Sequence, residues 1–135
     1  MATLDYALLA EYARVDPSGL LTAVGGSFDR VRAANPAAGQ QVFVAMRLLL
    51  DVSETSAEFD VSVRPPSGQF TMGFSGSAMP NAAAEPVDGK IGVVTTMGMV
   101  VPLVERGRYL VTVTLRGQEP HELPFIVEHV PPDGG

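Results

Sequence analysis

The chain has 135 residues, 46% of them hydrophobic, which suits one domain with a substantial core and excludes general disorder. Its net charge is −6, only 18% of residues are charged, and its eight arginines are scattered, which excludes the basic footprint of a nucleic-acid binder. The lack of cysteine excludes disulfides, thiol catalysis and thiolate metal sites, and fits a reducing compartment.

A charged fraction below the usual quarter or so leaves a comparatively apolar surface, which points to a protein partner or a homo-oligomer. Residues 1–6 lack a basic stretch, and Asp5 and Glu11 interrupt the apolar run that follows, so no signal peptide is expected. No apolar run reaches the ~18 residues of a membrane span. The longest, residues 91–104, contains Gly92, Gly98 and Pro102. A cytoplasmic location is therefore expected. Arginine outnumbers lysine eight to one and alanine is abundant, as in chains from GC-rich bacterial genomes.

Residues 3–15 fit two periods. Leu4, Leu8, Tyr12 and Val15 would line a helix face, whereas Leu4, Tyr6, Leu8, Ala10 and Tyr12 would line one face of a strand. Asp16-Pro17-Ser18-Gly19 has the residues a type I turn prefers, and the apolar segment 20–24 follows at once. A tight turn between two apolar segments predicts a hairpin, so strands are expected on both sides. Gly25-Gly26 then predicts a bulge or sharp bend, with residues 27–32 continuing beyond it. Residues 33–40, with Asn35-Pro36 and Gly39, read as a loop. Residues 41–51 are apolar on both faces, which makes this strand either central or part of an interface.

Residues 58–64 alternate cleanly, with Phe59, Val61 and Val63 inward. Pro65-Pro66-Ser67-Gly68 is a turn, and Phe70, Met72 and Phe74 form the next inward row. Residues 75–90 are the longest irregular stretch, a candidate functional loop. Residues 91–101 give another apolar strand. The clearest signal follows it. Tyr109, Val111, Val113 and Leu115 alternate with Arg108, Thr112, Thr114 and Arg116, Gly117 to Pro120 break the run, and Leu123, Phe125 and Val127 resume it. That is an antiparallel hairpin. Pro124 predicts that the last strand lies at a sheet edge, or at least has an unpaired N–H position there. Residues 131–135 read as a flexible tail.

About eight short strands and no helix predict an all-β, antiparallel sandwich of immunoglobulin-like or C2-like architecture, a single domain over residues 1–130. Chemistry is sparse. His121 and His129 have no spacing that makes a metal site, and neither a nucleophile elbow nor a phosphate loop is present. Asp51, Glu54, Glu58 and Asp60 cluster around one turn, where carboxylates can bind calcium, although a solvated turn explains them as well. Asp29 and Arg30 follow the glycine pair on alternate faces of a strand, so one of them should point toward the core and need a partner. The expected pairing is with Arg47 or Asp51, with a ligand or partner contact as the alternative. Asp29, Arg30 and Arg47 are thus the candidate interaction or ligand residues. No catalytic residue, metal site or cofactor is expected.

Two segments carry a resemblance. Asp5-Tyr6-Ala7-Leu8-Leu9-Ala10-Glu11-Tyr12-Ala13 with Gly25-Gly26-Ser27-Phe28-Asp29-Arg30 at the start, and Gly107, Tyr109 and Leu123-Pro124-Phe125-Ile126-Val127 at the end, resemble an uncharacterised bacterial family of small β-sandwich-like proteins. The resemblance implies a sandwich fold and a bacterial origin. The family is a domain of unknown function and implies no activity, cofactor or catalytic residue. The expected function is a non-catalytic interaction or scaffold module, not an enzyme, that self-associates or binds a protein. The alternative is a small-ligand or calcium-binding sandwich whose site lies at one end, formed by residues 33–40, 53–57 and 75–90.

Overall fold

Rows of alternating apolar side chains can be buried only against other such rows, and here they build two facing sheets. The computed structural model describes residues 1–35 and 39–130. Among these there is no helix, and ten strands follow in order: β1 (Thr3–Ala10), β2 (Tyr12–Val15), β3 (Leu21–Val24), β4 (Arg30–Ala33), β5 (Gly39–Asp51), β6 (Ala57–Arg64), β7 (Met72–Ala78), β8 (Lys90–Pro102), β9 (Gly107–Leu115) and β10 (His121–His129). One sheet has the order β1-β5-β8 and the other β4-β10-β9-β6-β7, while β2 and β3 form a separate hairpin. The expected tail at 131–135, and the part of the expected loop at 36–38, lie outside the described residues.

The all-β expectation holds. Val42, Val44, Met46, Leu48 and Leu50 of β5 are fully buried against Val61, Val63, Tyr109, Val111, Val113, Phe125 and Val127 of the facing sheet. Burial of each such side chain contributes roughly 1.5–3 kcal/mol. Three of the predicted hairpins are present: β2–β3, β6–β7 and β9–β10. Their turns close where expected, with Gly19 N–H donating to the Asp16 carbonyl (2.9 Å) and Gly68 N–H to that of Pro65 (3.0 Å).

Several expectations are corrected. The first segment is strand, but its faces are not those of a simple alternation. The register shifts between Leu4 and Tyr6, so Asp5 is an extra residue. Leu4, Ala7 and Leu9 therefore face the main core, while Leu8 and Ala10 face the opposite side. The strand also breaks at Glu11 rather than running on through Tyr12. Gly25-Gly26 marks more than a bend, because the chain changes sheets there. Gly25 has φ +61, and a Cβ on it would lie 2.6 Å from the Glu11 side chain. Beyond it β4 joins β10 in parallel, Arg30 opposite Ile126, as the one parallel pair among the described strands.

The doubly apolar strand β5 is central, and its outer face is covered from within the chain. The β2–β3 hairpin lies over it, so that Ala10, Ala13 and Ala45 are buried with Leu8, Leu21 and Phe43 around them. Tyr12 meets Phe43 edge to face at 5.3 Å. Strand β10 is interior, not an edge. β4 accompanies it only from Ile126 to His129, so Pro124 sits where that side is still open and its missing N–H costs no ladder bond.

Phe28, just past the crossing, packs edge to face on Phe125 (5.8 Å), which in turn stacks on Tyr109 (5.3 Å). The buried Tyr109 hydroxyl donates to the Glu105 carbonyl and accepts from the Glu105 N–H, both at 3.1 Å. A tyrosine closing onto backbone a few residues upstream is the tyrosine corner of β-sandwiches. Burial pushes the Tyr109 phenol pKa up. Tyr109→Phe keeps the ring stack and removes only the hydroxyl. It should lower unfolding free energy by about 1–2 kcal/mol in urea titration, with near-ultraviolet dichroism otherwise native.

Candidate functional site

The outer face of β5 is half covered by the hairpin, and beyond its tip a cleft opens. The β2–β3 turn meets the 79–89 connection there, with Asn81 Nδ2 3.3 Å from the Pro17 carbonyl oxygen to which it donates. The turn is rigid by its own bonds. Asp16 Oδ1 accepts from Ser18 N–H (2.9 Å), Ser18 Oγ (2.6 Å) and Leu20 N–H (3.0 Å). The Ser18 hydroxyl, then the Leu20 N–H, hold the Asp16 carboxyl below its ordinary pKa. The cleft, of about 440 Å³, has Arg47 and Gly92 on its floor and Ser18, Asn81, Ala83 and Glu85 among its walls.

Arg47 is placed by two neighbours. Its Nη1 donates to Asp5 Oδ2 at 2.7 Å, both side chains being partly exposed. Its guanidinium lies flat on Gly92, where a Cβ would come within 2.3 Å of Nη2 and 2.7 Å of Cζ. The bulge at Asp5 on β1 and Gly92 on β8, which pairs with Leu49 two residues along β5, thus make one arrangement across three strands. It can receive an anionic or hydrogen-bonding group beside a fixed cation. No histidine lines it.

The three candidate residues are not brought together. Asp29 and Arg30 are both exposed, and no charged residue is buried among the described ones, so the expected core-facing charge is absent. The reason is the crossing: β4 is a four-residue edge strand with Arg30 and Arg32 toward solvent, both paired with Glu128. Arg30 therefore pairs with Glu128 rather than with Asp51, and Arg47 with Asp5. The loops expected to share one end do not. Residues 34 and 35 come before β5 and residues 52–56 follow it, so these stand toward opposite ends of a thirteen-residue strand. Residues 75–78 belong to β7.

The expected carboxylate cluster holds only in part: Asp51 and Glu54 share the Met1 amine, and Glu54 Oε1 accepts from the Asp51 N–H at 2.8 Å, while the others have partners of their own. Asp51 pairs with Lys90, Glu58 with Arg116, and Asp60 accepts from Ser75 Oγ at 2.6 Å. Among the described residues no three His, Asp or Glu side chains gather where they could hold a metal ion. His121 is exposed at the start of β10, and His129 Nε2 lies 3.0 Å from the Leu103 carbonyl oxygen.

A second feature concerns charge. Between Arg64 and Glu105 the only charged residues are Glu85, Asp88 and Lys90. This stretch supplies β7 and β8, which are outer strands of their respective sheets and lie near each other on one side of the sandwich. β8 is thirteen residues long and has Lys90 at its first position as its sole charge. Sequence composition signals this neutrality, but only the topology shows that the two strands share a side.

The fold and these features describe an all-β domain of two facing sheets with a surface cleft and an uncharged edge. The chain belongs to the family of unknown function DUF6941, whose family model matches residues 5–128. No curated protein matches it.

Two outcomes follow from the electrostatics. The Lys90 ammonium is the largest cause holding the Asp51 carboxyl at about 2, against an ordinary 3.8. The folded value is the lower one, so this contribution to stability is present above 3.8 and is lost as pH falls through about 2. Lys90→Met should move the Asp51 titration, followed by carboxyl carbon NMR, upward toward 3.8. Gly92→Ala should push the Arg47 guanidinium away from Asp5, seen as a changed Arg47 Nε–H resonance. Because the pair is exposed, the stability change should stay within about 1 kcal/mol.

Proposed function

We propose that this domain is a non-catalytic interaction or scaffold module of the bacterial cytoplasm. In this reading it is an immunoglobulin-like sandwich that works by presenting its β7–β8 side to a protein chain. The single observation behind the reading is the neutrality of that side. Natural sandwiches normally protect their edge strands with charge, proline or bulges, because an unprotected edge pairs with other strands. The tyrosine corner at Tyr109 supports the immunoglobulin-like description. Absence of an enzymatic role is part of the proposal and rests on the scattering of the histidines and carboxylates described above.

A second reading is favoured by the Arg47 cleft. A small anionic ligand could pair with the guanidinium in place of Asp5, with Ser18 and Asn81 beside it. A ligand that binds the native state must raise its stability. Carboxylates and phosphates at millimolar concentration should then raise the melting temperature of the wild type and not of Arg47→Ala.

Native mass spectrometry of the protein purified gently from its own host tests the first reading. A discrete oligomer or a stoichiometric second chain is the expected result. A bare monomer without either overturns it.

A further inference from the structure

The four edges of the two facing sheets differ in their protection. An edge strand offers unpaired N–H and C=O groups, and soluble proteins blunt it with charge, bulges, proline or shortness. β1 has the bulge at Asp5 and the Asp5–Arg47 pair. β4 is four residues long, two of them arginines. β7 has no charged residue, and β8 has only Lys90, neutralised by Asp51. The 79–89 connection shares its cleft with Gly92, near the start of β8. The run of β8 beyond that cleft is residues 95–101, Thr-Thr-Met-Gly-Met-Val-Val, with β2 packed against β8 from within the chain. Among the described residues, main-chain pairing of this run goes to β5 alone. Val100 is 59% exposed on it.

We infer that residues 95–101 of β8 form a seam with the same strand of a second copy of this chain. Two copies pair antiparallel there about a two-fold axis, which joins two three-stranded sheets into one six-stranded layer. β7 of each copy lies alongside and supplies the uncharged second layer. This deepens the interaction-module reading and rests on it.

Three observations select a second copy over other occupants. Free main-chain groups in a row call for a strand, not a small molecule or a helix. A chain of net charge −6 repels its own copies except where the contact strip is neutral, and this strip is neutral. A two-fold contact sets each residue against its own counterpart's neighbours, so a seam without charge can never oppose like charges. A foreign strand would be selected by charged or shaped side chains along the run, and threonine, methionine, glycine and valine offer none of the former. Seven residues span about 23 Å at ~3.3 Å each, and facing layers stand ~10 Å apart, so the two-layer seam is much wider than one strand pair.

Sedimentation velocity on the purified chain, from low to high micromolar, tests this with three variants. Val100→Lys puts a cation on the exposed position of the seam. Gly73→Lys puts one on β7, where an added Cβ meets open space. Thr22→Lys on exposed β3 carries the same charge change away from the seam. Thermal unfolding confirms that each variant folds, and two seam variants guard against failure of either. The expected result is a dimer for wild type and Thr22→Lys, with dissociation constants raised by about tenfold or more in Val100→Lys and less in Gly73→Lys. A dimer unmoved by both seam variants overturns the seam and leaves the module reading intact. A wild-type monomer throughout the range also overturns the seam. The module reading then depends on whether a stoichiometric foreign chain co-purifies from the host.

Discussion

The contact on which the rest of this fold depends is the aromatic stack of Phe28, Phe125 and Tyr109. Its members come from three places: the sheet-changing crossing, the last strand and the strand beside it. Phe125 and Tyr109 stand opposite each other in the β9–β10 ladder, so their stacking belongs to the hairpin itself. Phe28 is the addition that matters. By packing on Phe125 it holds the crossing down, and β4 can then run parallel to β10, with Ile126 N–H bonded to the Asp29 carbonyl at 2.8 Å. The same crossing starts with Ser27 N–H on the Leu9 carbonyl at 2.6 Å, which ties it to the opposite sheet. Aromatic pairs contribute about 0.5–1.5 kcal/mol beyond their buried area. Here that contribution is also topological, because it fixes which sheet each side of the crossing belongs to.

The inner faces were legible from alternation alone. Residues 58–64, 109–115 and 123–127 are buried in the pattern their side chains spell out. What alternation cannot carry is a change of phase. One extra residue at Asp5 moves Leu8 from the core face to the outer face, and no side chain in that segment announces it. A parallel partner is equally silent, since the residues of β4 read the same beside any neighbour. The outer face of β5 is a subtler case. Its apolar residues do signal cover, and the cover proved to be a hairpin from the same chain.

The candidate site was less legible. Arg47 entered as a possible partner of the Asp29–Arg30 pair, but its setting depends on Gly92, which the β5–β8 register places opposite Leu49, one step along the same face. Arg30 and Arg47 pair with Glu128 and Asp5 rather than as expected, because which strand lies beside each is set by the topology. The scarcity of charge over residues 65–104 could be counted from the sequence. That β7 and β8 share one side of the sandwich required the strand order.

The parallel pairing of β4 with β10 also governs how the chain is made. β4 emerges early in synthesis, and among the described strands its only ladder partner is β10. At ~5–20 residues per second on the ribosome, the first third of the chain waits several seconds for that partner. During the wait, β5 can pair with β1 and then with β8, but the facing sheet remains incomplete. The uncharged strands are translated in this interval, with the aromatic stack not yet closed over the core. A nascent chain built this way keeps β4 unpaired longest, which makes the hand-off from ribosome to folded state the stage at which it is most open to its neighbours on a polysome.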